Sequence, residues 1–200
     1  MRSFFLTLLL LLFSSGVLAV EAPAGQIPIK PGDILRGRFV QEIHMSGMDK
    51  PMQSSGHFTV APGHGLIWGI EMPMATTSVI TPGGSMQDFG GVSVKLRIKN
   101  LRHLYAIVGG ALAGDWSGLE TDYLITRSNK DGQWQMQLTP RPNIQSTVPY
   151  TSITVTGGRY VENIVMMKRG GADTFSFTDE TLARAPLTGD ENVAFNKAAR

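Results

Sequence analysis

Gly65-Leu66-Ile67-Trp68-Gly69-Ile70-Glu71 decides the fold, because a strand sends successive side chains to opposite faces. Leu66, Trp68 and Ile70 then share one face, and Ile67, Gly69 and Glu71 the other. The turn Pro62-Gly63-His64-Gly65 joins this run to residues 54–61, where Phe58 and Val60 share a face, and residues 36–45 before it align Phe39, Gln41 and Ile43. On the other side, Met72-Pro73-Met74 reverses the chain into residues 76–80, which stop at Pro82-Gly83-Gly84. The pattern returns at residues 133–139, where Trp134, Met136 and Leu138 alternate with Gln133, Gln135, Gln137 and Thr139. Residues 119–128 precede it across the hairpin turn Lys130-Asp131-Gly132, residues 151–156 and 159–167 flank Gly157-Gly158, and residues 174–178 form a last strand. The expectation is nine or ten strands.

One segment has a different period. Leu101, Leu104, Tyr105, Val108 and Leu112 stand at i, i+3, i+4, i+7 and i+11, one stripe of a helix over residues 100–113. Asn100 is its expected cap and Gly114 its expected stop. Gly109-Gly110 inside the pattern costs about 1 kcal/mol per glycine relative to Ala, so the helix is marginal alone and a bend is expected there. A second helix is expected at residues 188–199, with Asp190 and Glu191 in its first turn and Lys197 in its last.

These elements make an α+β, mainly β domain: a large antiparallel sheet that curls, with a helical element over its open side. Its apolar rows, Phe39, Phe58, Leu66, Trp68, Ile70, Trp134, Met136 and Leu138, form one concave wall. Leu101, Leu104, Val108 and Leu112 face that wall from the helix. Whether the wall is a filled core or the lining of a ligand cavity stays open at this level. Nine methionines after Met1 favour a surface that repacks around apolar ligands, because the side chain is flexible and polarizable.

Composition narrows the function. Met1-Arg2-Ser3, an apolar run over residues 4–13 broken only by Thr7, and small residues at Val17 and Ala19 have the three regions of a secretory signal peptide, residues 1–19. The run is shorter than the about 20 residues that cross a bilayer as a helix. Residues 20–33, with Pro23, Pro28 and Pro31, form an extended lead-in, and residues 34–200 a single domain. The mature chain is expected in the compartment beyond the inner membrane. Lys and Arg number 18 against 16 Asp and Glu, which offers no basic face for a row of phosphates, so nucleic acid is not an expected partner. The absence of cysteine removes disulfides, thiolate metal sites, a Cys nucleophile and a lipid attachment point. His44, His57, His64 and His103 stand in no metal-binding spacing, and there is no Gly-x-Ser-x-Gly elbow. Asp179-Glu180 and Asp190-Glu191 read as solvated charge. No catalytic residue, metal or cofactor is expected.

In order along the chain stand Arg38-Phe39-Val40-Gln41-Glu42-Ile43, then Gly56-His57-Phe58, then Gly65-Leu66-Ile67-Trp68, Pro73 and Thr81-Pro82-Gly83-Gly84. Leu138-Thr139-Pro140-Arg141 and Phe175-Ser176-Phe177 follow. This series resembles the LolA-like family of periplasmic outer-membrane lipoprotein carriers, over about residues 36–178. The resemblance implies an incomplete antiparallel β-barrel with a helical lid, whose cavity takes acyl chains of a lipoprotein or other acylated lipid. It further implies an inner-membrane exporter as donor, an outer-membrane acceptor and a monomeric carrier. A sensing or protein-binding module on the same fold is the alternative. Family members carry an Arg-Pro pair whose arginine ties lid to barrel; here Ala61-Pro62 stands there, so the resemblance supplies no latch.

Overall fold

A computed structural model of the chain describes residues 25–95, 99–130, 132–184 and 186–200, with side chains omitted at 99–102 and 130. The signal peptide expected at residues 1–19, and Asp131 of the expected hairpin turn, lie outside the described residues.

The first half of the chain forms β1 (Ile34–Met45), β2 (Met52–Ala61), β3 (Gly65–Met72), β4 (Thr76–Ile80), β5 (Ser85–Phe89) and β6 (Val92–Lys95). Helix α1 (Lys99–Ala113) and a 3-10 turn (Ser117–Leu119) lead into β7 (Tyr123–Lys130), β8 (Gln133–Pro140), β9 (Tyr150–Gly157), β10 (Val161–Lys168) and β11 (Gly171–Ala183), and α2 (Gly189–Ala198) ends the chain. All the strands join one antiparallel sheet in the order β6-β5-β4-β3-β2-β1-β11-β10-β9-β8-β7. It consists of two meanders sewn together where β1 pairs with β11, and the segment containing α1 links the two unpaired edges.

Several expectations need correction. There are eleven strands among the described residues, not nine or ten. Those missed are β5 and β6, short and partly polar edge strands whose pairing is set by a turn at Gly90-Gly91. The strand expected from residue 119 begins at Tyr123, because the 3-10 turn takes up Ser117–Leu119. Helix α1 starts at Lys99, so Asn100 lies in its first turn and is not its cap, and the helix runs on through Gly109-Gly110. Its stop at Gly114 holds: φ is +71°, and the N–H groups of Gly114 and Asp115 donate to the carbonyls of Ala111 (3.1 Å) and Gly110 (2.9 Å). That pair of bonds is a Schellman turn, which needs a left-handed residue where Gly114 sits.

The sheet curls around α1. Strands lie about 4.8 Å apart, so β3 and β10, four steps apart in the order, would be separated by about 19 Å if the sheet were flat. Helix α1 touches both. Part of the bend is a bulge: Arg36 faces Thr181 while Arg38 faces Thr178, leaving Asp179, with φ +56°, and Glu180 opposite Gly37. A β-carbon at Gly37 would come within 2.7 Å of the Phe58 ring, so the turned strand requires glycine there.

The two faces of the sheet bury different clusters. The inner face and α1 form the main core. On the outer face Ile34, Ala61, Ile67, Val79 and Met86 pack under Phe195 and Ala198 of α2, which explains why the outward-facing Ile67 of β3 is apolar. Burying a Phe side chain is worth about 1.5–3 kcal/mol, enough to dock a ten-residue helix that would be unstable alone.

Candidate functional site

The alternating rows converge as expected on the inner face. Phe39, Phe58, Leu66, Trp68, Trp134, Met136 and Leu138 are buried in one cluster, and Ile70 is half-buried against it. From α1, Val108 and Leu112 are buried in the same cluster and Leu104 packs on its margin. The side chain of Leu101 lies outside the described residues. Sequence reasoning missed Ile107 and Ala111, which are fully buried on α1, and Ile153, Val155, Ile164 and Met166 on β9 and β10. The strand residues had a readable signal, the alternation of 153 with 155 and of 164 with 166. The helix residues had none, because they enlarge the buried stripe beyond one face.

Trp68 is the centre of the aromatic part. Its ring stacks on Phe39 with centroids 3.7 Å apart, meets Phe175 edge-on at 5.9 Å, and lies 6.1 Å from Tyr105 of α1. Trp134 closes the opposite side, its Nε1–H donating to the Gly158 carbonyl at 2.6 Å. Wall and helix are therefore in contact, with Leu66 beside Gly109. On the inner face, α1 and the wall's own aromatic side chains pack into one buried cluster.

Polar bonds tie α1 to the sheet and to the segment before β1. The Tyr105 hydroxyl donates to Ser78 Oγ of β4 at 3.2 Å, and His103 Nε2 is 2.6 Å from the Tyr123 hydroxyl of β7. Near the helix end, Gln26 Nε2 donates to the Ala111 carbonyl at 2.9 Å while its Oε1 accepts from Trp116 Nε1 at 3.3 Å. The extended segment before β1 also donates Ile29 N–H to the Ala113 carbonyl. Burial pushes the Tyr123 phenol up to about 12, helped by the charge of Asp122, and burial holds the His103 imidazole below its ordinary value, opposed by Asp122. Both shifts favour the neutral forms of the pair. Burial likewise raises the Tyr105 phenol, partly offset by Ser78.

Glu191, His57 and His64 lie on the outer face. Glu191, expected to be solvated, accepts two bonds from Arg36 (2.6 and 2.8 Å) and one from Thr59 (3.1 Å), and forms a capping box with Thr188. The Arg36 bonds, chiefly, hold its carboxyl down to about 2. His57 Nδ1 lies 3.0 Å from Glu71, which also pairs with Arg38. His64 packs beside Phe195. Among the described residues no group of three His, Cys, Asp or Glu side chains could hold a metal ion.

The nine methionines divide. Met136 and Met166 line the interior, Met86 lies under α2, and Met45, Met48, Met52, Met72, Met74 and Met167 are exposed.

A search of the curated proteins found no match. Among solved structures, a LolA superfamily protein of Nitrosomonas europaea is similar at 14% identity and a TM-score of 0.45, covering 84% of this chain and 96% of its own. The Pseudomonas aeruginosa MucA/MucB complex matches at 16% identity and a TM-score of 0.45, over 80% of this chain and 55% of that one. The Mycobacterium tuberculosis lipoprotein LppX matches at 6% identity and a TM-score of 0.35, over 79% and 89%. The family described as outer membrane lipoprotein carrier protein LolA-like matches residues 29–163, well over half of the sequence, from β1 through α1 to the start of β10, and the chain belongs to that family.

Proposed function

We propose that this protein is a periplasmic carrier that binds the acyl chains of a lipoprotein or another acylated lipid between the inner face of its sheet and α1. It would take cargo from an exporter in the inner membrane and release it to an acceptor at the outer membrane. The observation that carries the reading is the aromatic interior shared by the sheet and α1, with α1 held by a small number of side-chain hydrogen bonds. Family membership supports it. An acyl chain entering this interior replaces the apolar contacts of α1 with its own, each buried methylene contributing about 0.8 kcal/mol. The helix is suited to that exchange: two adjacent glycines lower its intrinsic stability, and its ties to the sheet are side-chain bonds that can be made and broken without disturbing the ladders. The wall residues in this role are Phe39, Phe58, Leu66, Trp68, Ile70, Trp134, Met136 and Leu138, and the lid residues Leu101, Leu104, Val108 and Leu112. No described helix is long and apolar enough to cross a membrane.

The test is native mass spectrometry of the protein purified gently after export, followed by extraction and identification of whatever travels with it. The expected result is an adduct of an acylated species, and saturable quenching of a fluorescent fatty-acyl probe by the emptied protein. A protein that carries nothing and leaves the probe unquenched overturns the carrier reading and favours a protein-binding module on the same fold.

A further inference from the structure

Twelve large apolar side chains are exposed among the described residues, and nine of them stand at one end of the sheet. The ladders place them there: Met45 faces Gly171, Ile43 faces Met52, Ser55 faces Met72, Ile70 faces Thr76 and Thr77 faces Asp88, so the β1–β2, β3–β4, β5–β6 and β10–β11 connections all emerge on the same side. Met45, Met48 and Met52 flank the first of these tips, Met72 and Met74 the second, and Met167 the last. Phe89 and Val92 continue the rim along β5–β6, and Leu124 stands at the start of β7, also at this end because Tyr123 faces Pro140. The turns at the opposite end, 62–64, 81–84 and 158–160, carry none of the twelve. Met72 and Met74, at 63% and 70%, are the most exposed methionines among the described residues.

Charge separates this end as well. The connections 46–51, 73–75, 90–91, 141–149 and 169–170 hold Lys50, Arg141 and Arg169 against a single acid, Asp49. Glu120 and Asp122 adjoin Arg141, whose Nε–H and backbone N–H donate to their carbonyls at 3.0 and 2.9 Å, which leaves Lys50 and Arg169 as the cations beside the exposed tips. Arg169 also lines a groove of about 430 Å³ with Gln145, Ser146 and Thr151.

We propose that this end docks on a bilayer containing anionic phospholipid, the methionine tips entering the boundary between headgroups and acyl chains while Lys50 and Arg169 meet phosphates. The apolar residues sit on separate hairpin tips and not along one groove, so a protein partner would need a matching pit for each. A bilayer makes no such demand, and unbranched methionine adapts to it. Scattered tips with neighbouring cations fit interfacial binding, whose strength grows with inserted apolar area and with attraction to anionic lipid. This inference rests on the rim alone and holds whether or not the interior takes an acyl chain.

The experiment is flotation of the purified protein with vesicles of phosphatidylethanolamine and phosphatidylglycerol, and with vesicles of phosphatidylcholine alone. The parent is expected to float with the anionic vesicles, less so in high salt. Met48→Gln, Met72→Gln and Met74→Gln combined should lower the bound fraction about tenfold. Val40→Gln with Val193→Gln, exposed positions away from this end, should leave it unchanged. Near-ultraviolet circular dichroism checks that both variants keep the native packing. A parent that floats with neither lipid, or a triple variant that floats like the parent, overturns the proposal. So does a parent that self-associates in sedimentation velocity through the methionines without binding vesicles, which would make the rim an interface between copies.

Discussion

Gly109 and Gly110 are neighbours in α1 with opposite tolerance for a side chain. A β-carbon at Gly109 would stand 3.6 Å from Leu66, an ordinary contact, whereas one at Gly110 would press to 2.9 Å on the Asp115 carbonyl oxygen, in the turn that ends the helix. Gly109→Ala should therefore gain about 1 kcal/mol of helix stability, raise the denaturation midpoint and slow probe exchange. Gly110→Ala should lower the midpoint by forcing that turn apart. If the two substitutions act alike in chemical denaturation, the assigned packing of α1 is wrong. Trp68 is the other decisive residue. Removing its ring leaves Phe39, Phe175 and Tyr105 facing a void, so Trp68→Ala should cost about 3–5 kcal/mol in urea unfolding, with a clearly smaller loss for the half-buried Ile70→Ala.

The two helices respond to acid for different reasons. His103 is held below its ordinary value of 6.5 in the docked helix, so the released helix binds a proton more readily. Docking is fully stabilised above that value and weakens as pH falls below it. Amide exchange in residues 99–113 should accelerate as pH drops through the ordinary histidine range, after correction for intrinsic rates, and His103→Gln should remove that component. Helix α2 is controlled by Glu191, whose carboxyl is lowered from 4.5 to about 2 by Arg36 and, less strongly, by Thr188 and Thr59. The stabilisation is present above 4.5 and is lost as pH falls toward about 2. Glu191→Gln should increase exchange in residues 189–198 at neutral pH and flatten its response to acid. A variant with the parent's profile would remove the ion pair as the anchor of α2.

At the scale of the molecule, cargo binding and helix release are one event if α1 fills the acyl site. Adding a fatty-acyl ligand should lower protection in residues 99–113 while leaving β1 and β11, at the seam of the two meanders, unchanged or better protected. All three tryptophans are buried in the cluster that contains α1, so the same titration should change their fluorescence. A ligand that raises protection evenly, with no loss in the helix, would place the binding site elsewhere.

Strand faces and the helical stripe were legible without tertiary information because both are periods of the local backbone. Leu66, Trp68 and Ile70 share a side in any strand, as do Trp134, Met136 and Leu138, and Gly114 ends α1 because few other residues accept its left-handed conformation. The edge strands β5 and β6 were not legible, since short polar segments take their conformation from the partner they pair with. Ile107 and Ala111 became core only because the curled sheet meets α1 on more than one side. Arg36 met Glu191 across 155 positions, and six methionines scattered in sequence gathered at one end, through antiparallel registers that bring distant hairpins together. Sequence by itself determined which way each side chain points along its own element. Only the tertiary structure decided what each one faces, because that depends on the pairing of segments far apart in the chain.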